Sequence, residues 1–231
     1  MYPPVDPRTL TQPTLQEEEG GCGVTGFICT EPVRGKFIYE PSVQMHNRGN
    51  GKGGGIAAAG LVPEEMGVSR EVLDSHYLIQ VALLDPSAVN EVEQQFILPQ
   101  FDVALATSIP HIDDYRDIPG LDVRPPDVRR YFVRVKGDVL RTFAKATELE
   151  ALAPRDLEDE FVYRNTFQLN EKFYTSLGEK RAFVLSHGRD LLIFKIVGYA
   201  EENVRYYQLQ DMRSHAWIAH QRYPTKGRVW H

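Results

Sequence analysis

Apolar and polar positions alternate with a period of two through GVTGFICT, residues 23 to 30. Val24, Gly26 and Ile28 fall on one face and Thr25 and Phe27 on the other, which predicts a strand. Two glycines in so short a strand weaken it and mark a close approach by another backbone or a ligand. PSVQMHNRGNGKGGGIAAAGL, residues 41 to 61, predicts a short helix, a glycine-rich loop and a strand from about Ile56. His76 to Leu84 reads as another strand, and a helix follows from Pro86 to about Gln95. VRRYFVRVKGDVLRTFAKAT joins an alternating strand to an amphipathic helix near Val139 to Ala146. DLEDEFVYRNTFQLNEKFYTSL has helical apolar spacing, with acids in its first turns where they suit the helix dipole.

RAFVLSHGRDLLIFKIVG reads as a hairpin, two β-rich runs joined through His187, Gly188, Arg189 and Asp190. AEENVRYYQL predicts a helix, and HAWIAHQRYP a strand ending in a turn at Pro224. Strands and helices mix without a regular βαβ repeat, which points to a layered α+β fold. Residues 1 to 21, with four prolines, three consecutive glutamates and no apolar period, read as an extended leader.

The composition adds limits. With 231 residues, 42% hydrophobic and 25% charged, the chain has material for one sizeable core or two small ones. A formal net charge of −6, with scattered lysines and arginines, argues against a dedicated nucleic-acid binder. No apolar stretch reaches the roughly 20 residues that cross a bilayer, and the N-terminus lacks the pattern of a secretory signal. Cys22 and Cys29 are the two cysteines. Their odd separation along one strand points them to opposite faces, so they suit neither a disulfide nor a metal site, and a cytoplasmic location is expected.

Three stretches carry candidate chemistry. Cys22 stands between the polar leader and the first strand. As a nucleophile it needs a base, and none of the seven histidines is singled out by spacing. Cleavage between Gly21 and Cys22 would supply one, an α-amine titrating at about 7.7 to 8.0 and attached to the nucleophile itself. In HQRYPTKG, residues 220 to 227, Arg222 ends a strand before a proline turn, where its guanidinium suits a carboxylate bidentately. Thr225 can offer a hydroxyl to the same ligand. In HNRGN, residues 46 to 50, a structural His46 and a salt-bridged Arg48 are the default expectations. The glycine-rich loop that follows lacks the GK[ST] ending of a phosphate-binding P-loop.

Together these stretches resemble the class II glutamine amidotransferases, a branch of the N-terminal-nucleophile hydrolases. CGVTGFI resembles the family's opening, MHNRGNGKGGGIA its second block and AHQRYPTKG its third. The RYPT turn and the leader resemble most the amidotransferase portion of glutamate synthases.

The resemblance implies a four-layer αββα sandwich spanning residues 22 to 231, with residues 1 to 21 removed as a propeptide. It implies that Cys22 attacks the side-chain amide of L-glutamine, that Arg222 holds the α-carboxylate and that Thr225 helps to orient it. Ammonia would pass to a partner synthase, where FMN and iron–sulfur clusters would reside, since this chain shows no fingerprint for a cofactor of its own. The family's oxyanion-hole Asn-Gly pair has no counterpart after Arg222, so the resemblance implies a domain continuing beyond His231 and an inactive chain without that part. Asn50 and Gly51 lie in the wrong block for that role. Two alternatives stay open: another N-terminal-cysteine amide hydrolase, and a regulatory or scaffold subunit that has lost the chemistry.

Overall fold

The structure of the protein is a computed structural model that describes residues 21–175 and 178–223. The expected leader, apart from Gly21, and the turn carrying Thr225 lie outside the described residues. Two antiparallel four-stranded sheets organise the rest. The first contains β1 (Gly23–Arg34), β2 (Gly54–Leu61), β7 (Leu191–Ile196) and β8 (Arg213–Gln221), in the order β1-β8-β2-β7. The second contains β3 (Tyr77–Leu83), β4 (Phe101–Ser108), β5 (Asp127–Val135) and β6 (Ala182–Gly188), in the order β4-β5-β3-β6. Short helices α1 (Tyr39–Val43), α2 (Pro63–Met66), α3 (Arg70–Ser75) and α4 (Val89–Val92) occupy the connections. Longer helices α5 (Gly137–Thr147) and α6 (Pro154–Phe173) precede β6, and α7 (Ala200–Tyr206) precedes β8. The protein is therefore mixed α+β.

Two cores hold these layers. In the first, Ile56, Ala58, Leu192, Phe194, Trp217 and Ala219 cover one face of the first sheet. They join Ala200 and Val204 of α7 and Leu78, Val128 and Phe132 of the second sheet. In the other, the opposite face of the second sheet presents Ile79, Val81, Tyr131 and Val133 to Phe161, Val162, Leu169 and Phe173 of α6. β3 thus contributes to both cores, which is why it is buried along its whole length.

Alternation locates β1 without saying which face is covered. Gly23, Thr25 and Phe27 turn inward, whereas Val24 and Ile28 are 62% and 80% exposed and neighbouring Ile218 is 47% exposed. That outer face is uncovered among the described residues.

The predicted hairpin after Arg181 does not form. β6 pairs with β3 in the second sheet and β7 with β2 in the first, so the chain crosses between sheets where a two-stranded ladder was expected. Adjacent side chains at the corner account for this. Arg189 donates to Glu158 of α6 at 2.9 Å and lies over the Tyr77 ring, tying the corner to the second sheet and its helix. Asp190, at φ 53°, accepts from the Leu61 amide at 2.6 Å, tying the next residue to the first sheet. β4 is absent from the predicted elements because Ala104, Ala106, Thr107 and Ser108 give its period little hydrophobic contrast.

Candidate functional site

The antiparallel register brings the three candidate blocks to one end of the first sheet. Gln221 on β8 stands opposite Gly23 on β1 and Gly54 on β2. One residue further out, Cys22, Arg222 and Gly53 therefore meet at the same margin, and the Arg222 amide donates to the Gly53 carbonyl at 2.8 Å. Cys22 is a free, exposed thiol, and Cys29 is free as well.

Glycines make this convergence possible. A Cβ on Gly23 would sit 2.8 Å from Arg48 Cβ and 2.9 Å from Met45 Cε, so the HNR segment packs directly beneath the start of β1. The Arg48 guanidinium lies against Gly21, its Nη2 3.1 Å from where a Cβ would be. On Gly49 the added atom would meet Gln221 Cβ at 2.9 Å, and on Gly53 the aliphatic stem of Arg222 at 3.1 Å. The glycine-rich loop packs closely against the Arg222 block.

A buried polar network ties the His46 segment to the end of β8 through α1 and α7. The Glu201 carboxylate accepts from Ser42 Oγ at 2.8 Å and from Gln221 Nε2 at 2.9 Å, and it pairs with the His46 ring. Gln221 also donates to Ser42 Oγ and accepts from the Ala200 amide, both at 3.0 Å. His46 stacks on Tyr199 with ring centroids 3.9 Å apart. His46 is thus the structural histidine that its context suggested. Arg48 is different: among the described residues it pairs with no carboxylate, against the default expectation of a salt bridge.

On the outer face, a cavity of about 400 Å³ opens beside this margin, a volume suited to a small molecule. Its floor is Gly53, Gly55 and Ala57, and Lys195, His220 and Arg222 line its polar side. Lys195 is exposed at the edge of the sheet, and partial desolvation of its ammonium together with the neighbouring Arg222 charge lowers its pKa from the usual lysine value. Among the described residues no carboxylate pairs with Lys195 or Arg222. A cleft of about 480 Å³ on the second sheet is larger. Its charged groups are already matched, Arg129 to Glu93 and His111 to Asp127, and it lies away from all three blocks.

Cys22 and Arg222 are brought together, whereas Thr225 lies outside the described residues. Asn50 Oδ1 accepts from the Lys52 amide at 3.2 Å in a local turn, and Gly51 packs on the Tyr199 ring. Lys195, His220 and Glu201 were not foreseen. His220 is legible in retrospect, sharing the face of Arg222 by its i, i+2 spacing. Lys195 is signalled as the one charge in LLIFKI. Among the described residues there is no cluster of three or more His, Cys, Asp or Glu side chains arranged to hold a metal, and no helix long and apolar enough to cross a membrane.

The fold and site together define an α+β protein with a glycine-lined, cation-rimmed cleft beside an exposed cysteine. No protein-family model matches the chain. It is similar to an uncharacterized protein of Archaeoglobus fulgidus, 28% identical over 221 residues, which cover 93% of this chain and 50% of that relative. The chain thus spans about half the length of the curated relative it matches.

Proposed function

We propose that this chain is a glutamine amidotransferase module in which Cys22 is the nucleophile. The observation that carries the reading is spatial: residues 21–23, 45–55 and 220–222, far apart in sequence, meet at one margin of one sheet with Cys22 exposed among them. After cleavage between Gly21 and Cys22, the new α-amine takes the thiol proton and the sulfur attacks the side-chain amide carbon of L-glutamine. The tetrahedral adduct collapses with protonation of the nitrogen, ammonia leaves and a thioester remains. Water then attacks the thioester, releasing glutamate and restoring the thiol. Arg222 binds the α-carboxylate as a planar fork, and Thr225 helps to orient it.

In this reading ammonia is delivered to a partner synthase for glutamate formation, and any flavin or iron–sulfur group belongs to that partner. The oxyanion donors it requires are not assigned among the described residues. The αββα arrangement is proposed on the same footing, supported by two antiparallel sheets that share one core and by α6 packed on the far face of the second.

The test uses the full-length natural protein. An electrophilic glutamine analogue should label Cys22, and Cys22→Ala should abolish glutamate and ammonia release. Arg222→Ala should raise the KM for glutamine by about 30- to 100-fold, the equivalent of losing a charge-assisted bidentate contact. Turnover of glutamine by Cys22→Ala at the parent rate would sink the reading. An unchanged KM in Arg222→Ala would point to a different amide.

A further inference from the structure

We infer that Lys195 is a second substrate-binding cation, which with Arg222 clamps a ligand carboxylate over the bare backbone of Gly55. This rests on the proposed glutaminase reading and identifies a contact that the sequence did not single out.

The ladder places Lys195 on β7, Gly55 on β2, His220 on β8 and Val24 on β1 in one row across the outer face. Gly55 therefore forms a gap between two basic side chains. Among the described residues nothing requires that gap. A Cβ on Gly55 would meet only the Phe194 carbonyl, at an ordinary 3.4 Å, and Gly55 does not have the left-handed backbone that favours glycine. Its neighbour is the contrast, since a Cβ on Gly54 would fall 2.3 Å from the Ala200 nitrogen. A glycine inside a strand weakens it, and one without an internal neighbour to accommodate marks the approach of a ligand.

The charges say what kind of ligand. Lys195 and Arg222 both line the cavity, and among the described residues neither has a carboxylate partner. The Lys195 ammonium already lies over the Phe183 ring, 5.8 Å from its centre, a contact to its apolar side that leaves its charge without a counter-ion. Two like charges held together raise each other's free energy, and an anion between them removes that cost. A carboxylate lying over Gly55 meets both cations at the mouth of the cleft, on the side where Cys22 stands.

The experiment measures binding of L-glutamate, the reaction product, to full-length protein carrying Cys22→Ala, by calorimetry. Adding Lys195→Met should weaken binding at least about tenfold, and Lys195→Arg should recover part of the loss. Gly55→Ala should weaken binding comparably while leaving the thermal midpoint unchanged or higher. Glutamate binding that is unaffected by Lys195→Met yet lost in Arg222→Ala would overturn the clamp and leave the glutaminase reading standing. Absence of glutamate binding together with failure of the electrophilic analogue to label Cys22 would overturn both.

Discussion

Glu201 is 4% exposed and joins Ser42 and His46, which precede the glycine-rich loop, to Gln221 at the end of β8. Removing it leaves several buried donors without an acceptor, so Glu201→Ala should cost about 3 to 5 kcal/mol, read as a lower midpoint in urea unfolding. Glu201→Gln keeps an acceptor oxygen and should cost less. An equal loss in both variants would show that charge, and not hydrogen bonding, holds the network. At this scale the sequence exposed the groups that stand beside glycines or at strand ends, Cys22 and Arg222 among them. It concealed Glu201, because a glutamate in the first turn of AEENVRYYQL is indistinguishable from one favouring the helix dipole at the surface.

Among the elements, the corner between β6 and β7 is the informative one. Asp190 combines a left-handed backbone with an acceptor for the Leu61 amide at the end of β2. Asp190→Asn retains both properties and should change stability by less than about 1 kcal/mol. Asp190→Val loses both and should cost about 2 to 3 kcal/mol in denaturant unfolding. If the valine variant were as stable as the parent, the corner would not be the anchor described here. Most helices and strands were legible because their periods are strong and their ends carry turn residues. The pairing of β6 and β7 was not, since HGRD suits a hairpin turn as well as an intersheet corner. What decides between them is that Arg189 and Asp190 find partners on different layers.

For the molecule as a whole, Glu202 couples folding to pH. Its carboxylate sits against Gly198 and Gly120, accepts from the Tyr199 amide at 2.8 Å, and is 4% exposed. Burial first, and then neighbouring Glu201, push its pKa from 4.5 up to about 7. A raised carboxyl pKa means that the folded state holds a proton the unfolded state has lost. Its stabilising effect is complete below about 4.5 and disappears as pH rises through about 7. Stability should therefore fall by about 2 to 3 kcal/mol across that window, and Glu202→Gln should flatten the slope. Unfolding midpoints at pH 5 and pH 8 check the sign, and an unchanged slope in the glutamine variant would exclude Glu202 as its source.

Local sequence by itself determined the α+β class, most element positions, and three blocks with an interpretable chemistry. Those properties depend on backbone sterics and side-chain period, which act over a few residues. Only the tertiary structure decided which sheet each strand joins, which face of β1 is left open, and that Lys195 and His220 flank Gly55. Those outcomes depend on hydrogen-bond partners and excluded volume supplied by residues distant in sequence, across the first sheet mostly more than a hundred positions away, and no local pattern encodes them.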